Sequence, residues 1–445
     1  MGKYIFSKQT DNDEFNRFSE ENGGSVYQTS YWAEVKSAWK PSFYMGYDGE
    51  KPVLSALCLE RDVKVGKLWY CPDGFVCDLG NEELVLAFSA FMLSEMRKNK
   101  ICALVCDPLI ETAVNGKPRD FSAVSSMLKS GFVLNSDKSF YIVQPNVTIQ
   151  TILKEMTPES LLSKCEKGVR HGLRSASDGA LFSEKYDNVS LPLHPEKLDD
   201  FFEVMTETSD RVSFIQRDKN YYRKIITALN GKAVMNLIYC DNIKRENIYK
   251  ISLEKKKELE DRLLSLSSAD KKDGKTISAI NAIKKEINSL NTTISRNEKV
   301  SSELKEKFGE NIPDKICLAV GITSRFGKTA VCLYGGTRNL LRNTLRPTHF
   351  LNWTRILESF EAGIETHDLG RVTGDPYDEK NPLYGLCKYK RSYNGEVTEF
   401  VGDMYLVSDR FRFMLFRKLL PKFKKIKNSV LKKTIKSRTV KNSTR

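Results

Sequence analysis

Residues 246–310 read ENIYKISLEKKKELEDRLLSLSSADKKDGKTISAINAIKKEINSLNTTISRNEKVSSELKEKFGE. The stretch is rich in Glu, Lys, Ser and Asn. It has no Pro, and its only aromatics are Tyr249 and Phe308. In the second half, Ile280, Ile283, Ile287, Leu290 and Ile294 step by three and four, which makes a heptad seam. Leu259, Leu263 and Leu266 keep the same rhythm more weakly in the first half. Between the halves, SSADKKDGK supplies turn chemistry. The pattern predicts two antiparallel helices joined near Gly274. Their seam is too narrow for a core, so the hairpin projects from the body as an arm.

Both flanks of the arm are of a different kind. From Met1 to about Gln150, β-type runs such as KPVLSALCLE and ICALVCDP alternate with the amphipathic helix NEELVLAFSAFMLSEMRKNK. Asp107-Pro108 ends the strand at Cys106, because proline removes a ladder donor. A second mixed unit starts near Thr151. It opens with a basic helix, SLLSKCEKGVRHGLRSASDGA, stopped by Gly179. Helices LDDFFEVMTETSDR and NYYRKIITALNG follow, then strand AVMNLIYC. After the arm, ICLAVGITSRFGKTAVCLYGGT reads as two strands with a tight turn at Arg325 to Lys328. Helix THFLNWTRILESFEAGI then leads to strand THDLGRV. The fold class is therefore α/β (α+β). One unit spans 1–150, and a second spans 151–245 plus 311–396, with the arm 246–310 inserted into it.

The 445 residues carry 71 Lys+Arg and 57 Asp+Glu, a net charge of +14. From Arg410 to Arg445 there are 14 basic and no acidic residues, so the rest of the chain is neutral and this tail holds the whole excess. A 40% apolar, 29% charged composition excludes wholesale disorder and a multi-span membrane protein. The apolar stretch around Leu84 to Leu93 is too short to span a bilayer. The N-terminus lacks an apolar signal core. Ten scattered cysteines without a Cys-x-x-Cys pair read as reduced core residues, and four distant histidines form no zinc pattern. These features predict a cytoplasmic protein.

The motifs lie mainly between Tyr334 and Val407. They run Tyr334-Gly335-Gly336, Asp368-Leu369-Gly370, Gly374-Asp375, Pro382-Leu383-Tyr384-Gly385-Leu386, Tyr389-Lys390, Gly395-Glu396 and EFVGDMYLV. With YQTSYWAEVKSAWKP, CALVCDP and TSDRVSFIQRDKNYY upstream, the ordered set resembles the Fem family of peptidoglycan-bridge aminoacyltransferases, to about residue 410. The arm occupies the place of that family's coiled-coil arm. The resemblance implies two tandem acetyltransferase-like (GNAT-like) domains, the first completed by a strand from 397–408. It implies transfer of an amino acid of the Gly, Ala or Ser class from aminoacyl-tRNA to the stem-peptide amine of a precursor, lipid II or UDP-MurNAc-pentapeptide. No cofactor is implied. The nearest thing to an acetyl-CoA loop, RFGKTA, has a single glycine between Arg325 and Lys328.

Such a reaction needs a group to accept the amine proton and a donor to hold the developing oxyanion. By resemblance, Asp107 takes the first role or merely orients the amine; its plain alternative is a strand-end turn residue. Lys390 binds the developing charge or a phosphate, with Tyr389 replacing the family's Phe; its alternative is a solvated lysine in a basic turn. The resemblance also implies acceptor binding by Lys36, Arg217, Tyr221 and Tyr334; Arg and Lys suit the pyrophosphate and carboxylates of such a precursor. Arg217 and Tyr221 share a face if helical. Ile215 stands where the family often has a second basic residue. Gly335, Gly336, Gly370 and Gly374 read equally as structural turns, and Asp375 and Glu396 as orienters or turn residues.

Lys164, Lys167, Arg170 and Arg174 face phosphates or solvent. The tail 410–445 places Phe416, Leu419, Leu420 and Phe423 on one stripe, kinked at Pro421. It reads as an anionic-membrane contact, as a tRNA contact, or as an appendage packed on the body. Alternatives for the whole chain are an acyl-CoA-dependent N-acyltransferase of related fold and a non-catalytic tRNA-binding scaffold.

Overall fold

The computed structural model describes residues 3–63, 66–135, 144–212, 214–268 and 273–418. An eight-stranded sheet runs Tyr4–Lys8, Lys40–Asp48, Lys51–Val63, Gly66–Cys71, Ile101–Cys106, Met404–Val407, Val133–Leu134, with Val76–Cys77 paired beside Lys51–Val63. A nine-stranded sheet runs Leu181–Tyr186, Ala233–Asp241, Lys315–Phe326, Thr329–Thr337, Thr366–Val372, Val147–Ile152, Glu396–Phe400, Glu111–Val114, Lys117–Pro118. Central strands such as Ile101–Cys106 are buried on both faces, which is why their sequence is an unbroken apolar run.

Each sheet contains one parallel pair. In the first it is Gly66–Cys71 with Ile101–Cys106, connected through helix Glu82–Lys98. In the second it is Thr329–Thr337 with Thr366–Val372, connected through helix Pro347–Glu361. A parallel pair needs such a crossover. It also sets two C-terminal strand ends side by side, where open sheets bind ligands. This repeated plan, with a long helix pair inserted in the second copy, is the tandem acetyltransferase-like architecture.

Sheet membership crosses position 150. Glu111–Val114 and Lys117–Pro118 extend the second sheet, and Val147–Ile152 lies within it. Within 397–408, Met404–Val407 enters the first sheet, while Glu396–Phe400 stays in the second. The units are thus tied by exchanged strands.

The expected single basic helix is two helices, Pro158–Lys164 and Lys167–Asp178. Cys165 and Glu166 between them are extended. The Arg170 guanidinium donates to the carbonyls of Leu162, Ser163 and Cys165 at 3.3, 3.2 and 2.5 Å, satisfying the orphan end of the first helix. Gly179 caps the second helix for a packing reason: a Cβ there would sit 2.4 Å from Leu345. The left-handed residue is the next one, Ala180, with φ 51°.

The arm consists of Asn242–Ser267 and Gly274–Phe308. Leu259, Ile283 and Ile287 close its outer seam. At its root, Val300 and Leu304 join the core formed by Ile316, Leu318 and Leu341. Arg245 is 1% exposed there, donating to Asn242 and Ser301 at 2.9 and 3.0 Å. Arg296 pairs with Asp178, and Asn297 donates to the Asp178 carbonyl at 3.2 Å. The arm is seated on the second unit by polar contacts that a heptad pattern does not encode.

Residues 410–418 are helical, and Phe413 and Phe416 pack on Leu68, Val105 and Tyr405. Phe416 therefore faces the sheet, and is not available to a lipid-facing stripe. Leu419, Leu420, Pro421, Phe423 and the rest of the basic tail lie outside the described residues. Among the described residues, no helix is long and apolar enough to cross a membrane.

Candidate active site

The parallel pair of the second sheet stays in register only over Thr329↔Thr366, Ala330↔His367 and Val331↔Asp368. Beyond that, one strand follows Lys315–Phe326 and the other follows Val147–Ile152. Cys332, Asp368 and Gly370 line the opening. They form one side of a cavity of about 410 Å³ whose other side includes Ser25, Tyr27 and Asp73 of the first unit.

In the first sheet, Cys71 pairs with Cys106, so both strands of the parallel pair end at the same level. One turns through Pro72-Asp73-Gly74, with the Gly74 N–H donating to the Cys71 carbonyl at 3.1 Å. The other ends in Asp107-Pro108. Asp73 is left-handed, with φ 56°, and Gly74 follows at 81°. A Cβ at Gly74 would meet Pro108 at 2.7 Å, so the two turns can abut only with glycine there.

The Asp73 N–H donates to Asp107 Oδ1 at 3.0 Å, and Gln144 lies 3.2 Å from Oδ2. Asp107 is 2% exposed. Burial, reinforced by the nearby Asp73 charge, pushes its carboxyl well above the usual carboxylate range. Burial also raises the Asp73 carboxyl, but Arg371 opposes it. Arg371 reaches from the second sheet to Asp73 Oδ1 at 3.0 Å, donates to the Pro145 carbonyl at 2.9 Å and lies 5.1 Å above the Phe400 ring. Burial works against its charge, and Asp73, Asp107 and Asp368 more than offset that.

Lys390 sits on helix Tyr384–Arg391 and donates to the Gly370 and Arg371 carbonyls at 2.7 and 3.4 Å. Burial lowers its pKa, partly countered by Asp368. The helix is anchored by Tyr389, whose hydroxyl meets Asn352 at 3.1 Å and Tyr393 at 3.0 Å. Lys390 is a partly buried, carbonyl-bound lysine, not a freely solvated one.

A second cluster lies alongside. Lys36 Nζ donates to Tyr221 Oη at 2.7 Å and lies 4.7 Å from the Trp32 ring. The Arg217 guanidinium covers the other partner, 5.2 Å from the Tyr221 ring centre. Burial, then Arg217, push Lys36 down to about 8. Tyr334 packs edge-on against Tyr222 at 5.1 Å, and Tyr222 packs against Tyr221 at 6.5 Å. Tyr27 connects this cluster to the cavity, since it lines the cavity and meets Trp32 edge-on at 4.5 Å.

The structure thus brings Lys36, Arg217, Tyr221 and Tyr334 together, and sets Asp107 and Lys390 on either side of Arg371. Of the glycines, Gly370 and Gly374 take φ 95° and 77°, as turns require. Gly336 is a packing residue, because a Cβ there would crowd Met205 and Thr208 at 2.9 Å. Asp375 closes a turn by accepting from the Tyr377 N–H at 2.8 Å. Arg170 is committed to capping, whereas Lys164, Lys167 and Arg174 are exposed.

Sequence reasoning missed Asp73, Tyr27 and Arg371. Pro72-Asp73-Gly74 carries a turn signal, and Arg371 directly follows the Asp-Leu-Gly motif. Neither signal distinguishes a cavity residue from a surface one.

The chain matches the FemAB family over residues 10–420. It is 26% identical over 429 residues to a lipid II:glycine glycyltransferase of Staphylococcus aureus (strain MRSA252), covering 95% of this chain and 97% of that one. The protein of the same name from strain USA300 is 26% identical over 416 residues, with 92% and 94% covered. A crystal structure of FemX superposes with a TM-score of 0.72 at 24% identity, covering 93% of this chain and 99% of that one. That superposition carries the fold.

Proposed function

The chain is a transferase belonging to the FemAB family, and on that premise we propose that it moves a glycyl, alanyl or seryl group from aminoacyl-tRNA to a stem-peptide amine. The acceptor is a peptidoglycan precursor, and the reaction builds the interpeptide bridge. The S. aureus relatives are named for lipid II and glycine. On this reading the acceptor is lipid-linked, and the protein works at the inner face of the plasma membrane. The basic tail adds attraction to anionic lipid.

The observation that carries the reading is the convergence of Lys36, Arg217 and Tyr221 beside the cavity. A pyrophosphate-bearing precursor needs paired cations with hydroxyl donors close by. The cavity lies at the C-terminal ends of the parallel strands in both sheets, with Lys390 beside it. In this reading Lys390 stabilises negative charge as the ester carbonyl becomes tetrahedral.

The test is direct. The protein is incubated with tRNA charged with glycine, alanine or serine, and with lipid-linked or nucleotide-linked precursor. Mass spectrometry should find one added residue on the stem peptide. No addition with any donor and acceptor sinks the reading. Lys390→Ala should lose most turnover while remaining folded; unchanged turnover removes Lys390 from the mechanism.

A further inference from the structure

The cavity is lined by more than one carboxylate, and their surroundings differ. Asp368 is held by three donors: Thr148 Oγ1 at 2.5 Å, the Gly370 N–H at 2.6 Å and Gln150 at 3.4 Å. Both of its oxygens are therefore already taken up by donors of its own sheet. Glu111 lies near the sheet edge, with Arg119 at 3.6 Å. Asp107 is not among the residues that line the cavity, and its Oδ1 is occupied by the Asp73 N–H. Asp73 lines the cavity, with one oxygen held by Arg371.

The backbone tells the same story. Asp73 is in the left-handed region, unusual for a residue other than glycine. That conformation is fixed from below by Asp107 and from the side by the Gly74–Pro108 contact. A sparsely populated conformation kept by its surroundings is a recurrent feature of functional sites. Here the surroundings aim one side chain from the first sheet toward the opening in the second.

We propose that Asp73 is the group that takes the proton from the acceptor amine, and that Asp107 is a positioning residue beneath it. The proposal rests on the aminoacyl-transfer reading above. The amine enters as an ammonium, and the Asp73 carboxylate removes one proton. The nitrogen lone pair forms a C–N bond to the ester carbonyl carbon of the donor. In the tetrahedral adduct the nitrogen carries a positive charge. Its proton passes to the ribose oxygen as the C–O bond breaks. The products are an amide, a free tRNA hydroxyl and a protonated Asp73, which returns its proton to solvent.

The division of labour follows from the groups around the two carboxyls. Arg371 faces Asp73 directly, with Tyr27, Asp368 and Ser25 also turned to it. Asp107 faces Asp73, Asp403 and Tyr70, and is farther from the positive charge. When one proton is shared between them, Asp107 holds it and Asp73 is left ionised. Gln144 can turn either its carboxamide oxygen or its nitrogen toward Asp107 Oδ2, so a neutral Asp107 is accommodated.

Asparagine separates the two roles. It tolerates the left-handed conformation, so Asp73→Asn should keep the turn. It also imitates a neutral carboxyl, which is what position 107 requires. Single-turnover transfer is measured against pH for the wild type and both variants. Asp73→Asn should lose about 100-fold or more and the ascending limb of the profile. Asp107→Asn should lose less than about tenfold and keep the limb. Arg371→Gln should move the limb to higher pH, because the ionised Asp73 loses its partner. The proposal is overturned if Asp107→Asn removes the limb, or if Asp73→Asn leaves it in place. Wild-type protein that transfers nothing would defeat the aminoacyl-transfer reading itself, a result separate from either variant outcome.

Discussion

Lys36 and Tyr221 stand 185 positions apart and share a hydrogen bond of 2.7 Å. The ammonium is also flanked by the rings of Trp32 and Tyr221, at 4.7 and 5.1 Å. No carboxylate pairs with it among the described residues, while Arg217 repels it. A cation stored without a counter-charge is set to receive an anion.

The consequence is a pH dependence of binding. Burial holds Lys36 at about 8 in the free protein. An anionic ligand stabilises the protonated form, so binding takes up a proton above that value. Affinity for a nucleotide-linked precursor should therefore fall as pH rises, by about tenfold between pH 7 and 9. Titration calorimetry at fixed ionic strength reads this directly. Lys36→Arg should flatten the dependence, since arginine remains charged throughout. A flat wild-type profile would show that Lys36 does not meet the anion.

His367 predicts a second pH effect, on stability. It is fully buried, with Ser359 Oγ at 2.8 Å from Nδ1 and Cys332 Sγ at 3.4 Å from Nε2. Burial, with Arg355 and Arg325 nearby, pushes it down to about 3. The folded protein keeps it neutral, whereas the unfolded chain binds a proton below about 6.5. Its contribution is thus complete above pH 6.5 and is lost as pH falls toward 3. Each unit in that window is worth about 1.4 kcal/mol. His367→Gln should be less stable than wild type at pH 7.5, with the gap narrowing by about 2 kcal/mol at pH 5. Urea melts at the two pH values measure it; a constant gap would mean that His367 does protonate in the fold.

Legibility in the sequence tracked the range of the interactions. The arm was readable because a heptad seam is local, and Leu259, Ile283 and Ile287 lie where the repeat put them. Its root was not, since Arg245, Asn297 and Asp178 follow no period. The break at Cys165 was hidden because the basic pattern runs straight across it; only Arg170 turning back onto three carbonyls explains it. Lys36, Arg217 and Tyr221 were reached through ordered motifs, and their contact joins segments no periodicity connects. Asp73 and Arg371 were missed because their ion pair spans 298 positions and two sheets. A Pro-Asp-Gly turn looks the same in sequence whether it faces solvent or a cavity.

The main chain of Tyr334 is held from below. Gly321 and Gly335 are opposite each other on neighbouring strands. Arg355 is 2% exposed and donates from Nη2 to the Tyr334 carbonyl at 2.6 Å. A Cβ at Gly321 would lie 1.4 Å from that same nitrogen, so the guanidinium and a larger residue cannot coexist. Gly321→Ala should therefore displace a buried cation from its acceptor, costing about 3 kcal/mol or more. Adding Arg355→Met removes the charge and opens space, so the double variant should be more stable than Gly321→Ala alone. Precursor affinity should remain reduced in both, because the Tyr334 carbonyl has lost its donor in each. Equal urea midpoints for wild type and Gly321→Ala would show that the guanidinium has another place to go, and that Tyr334 does not depend on it.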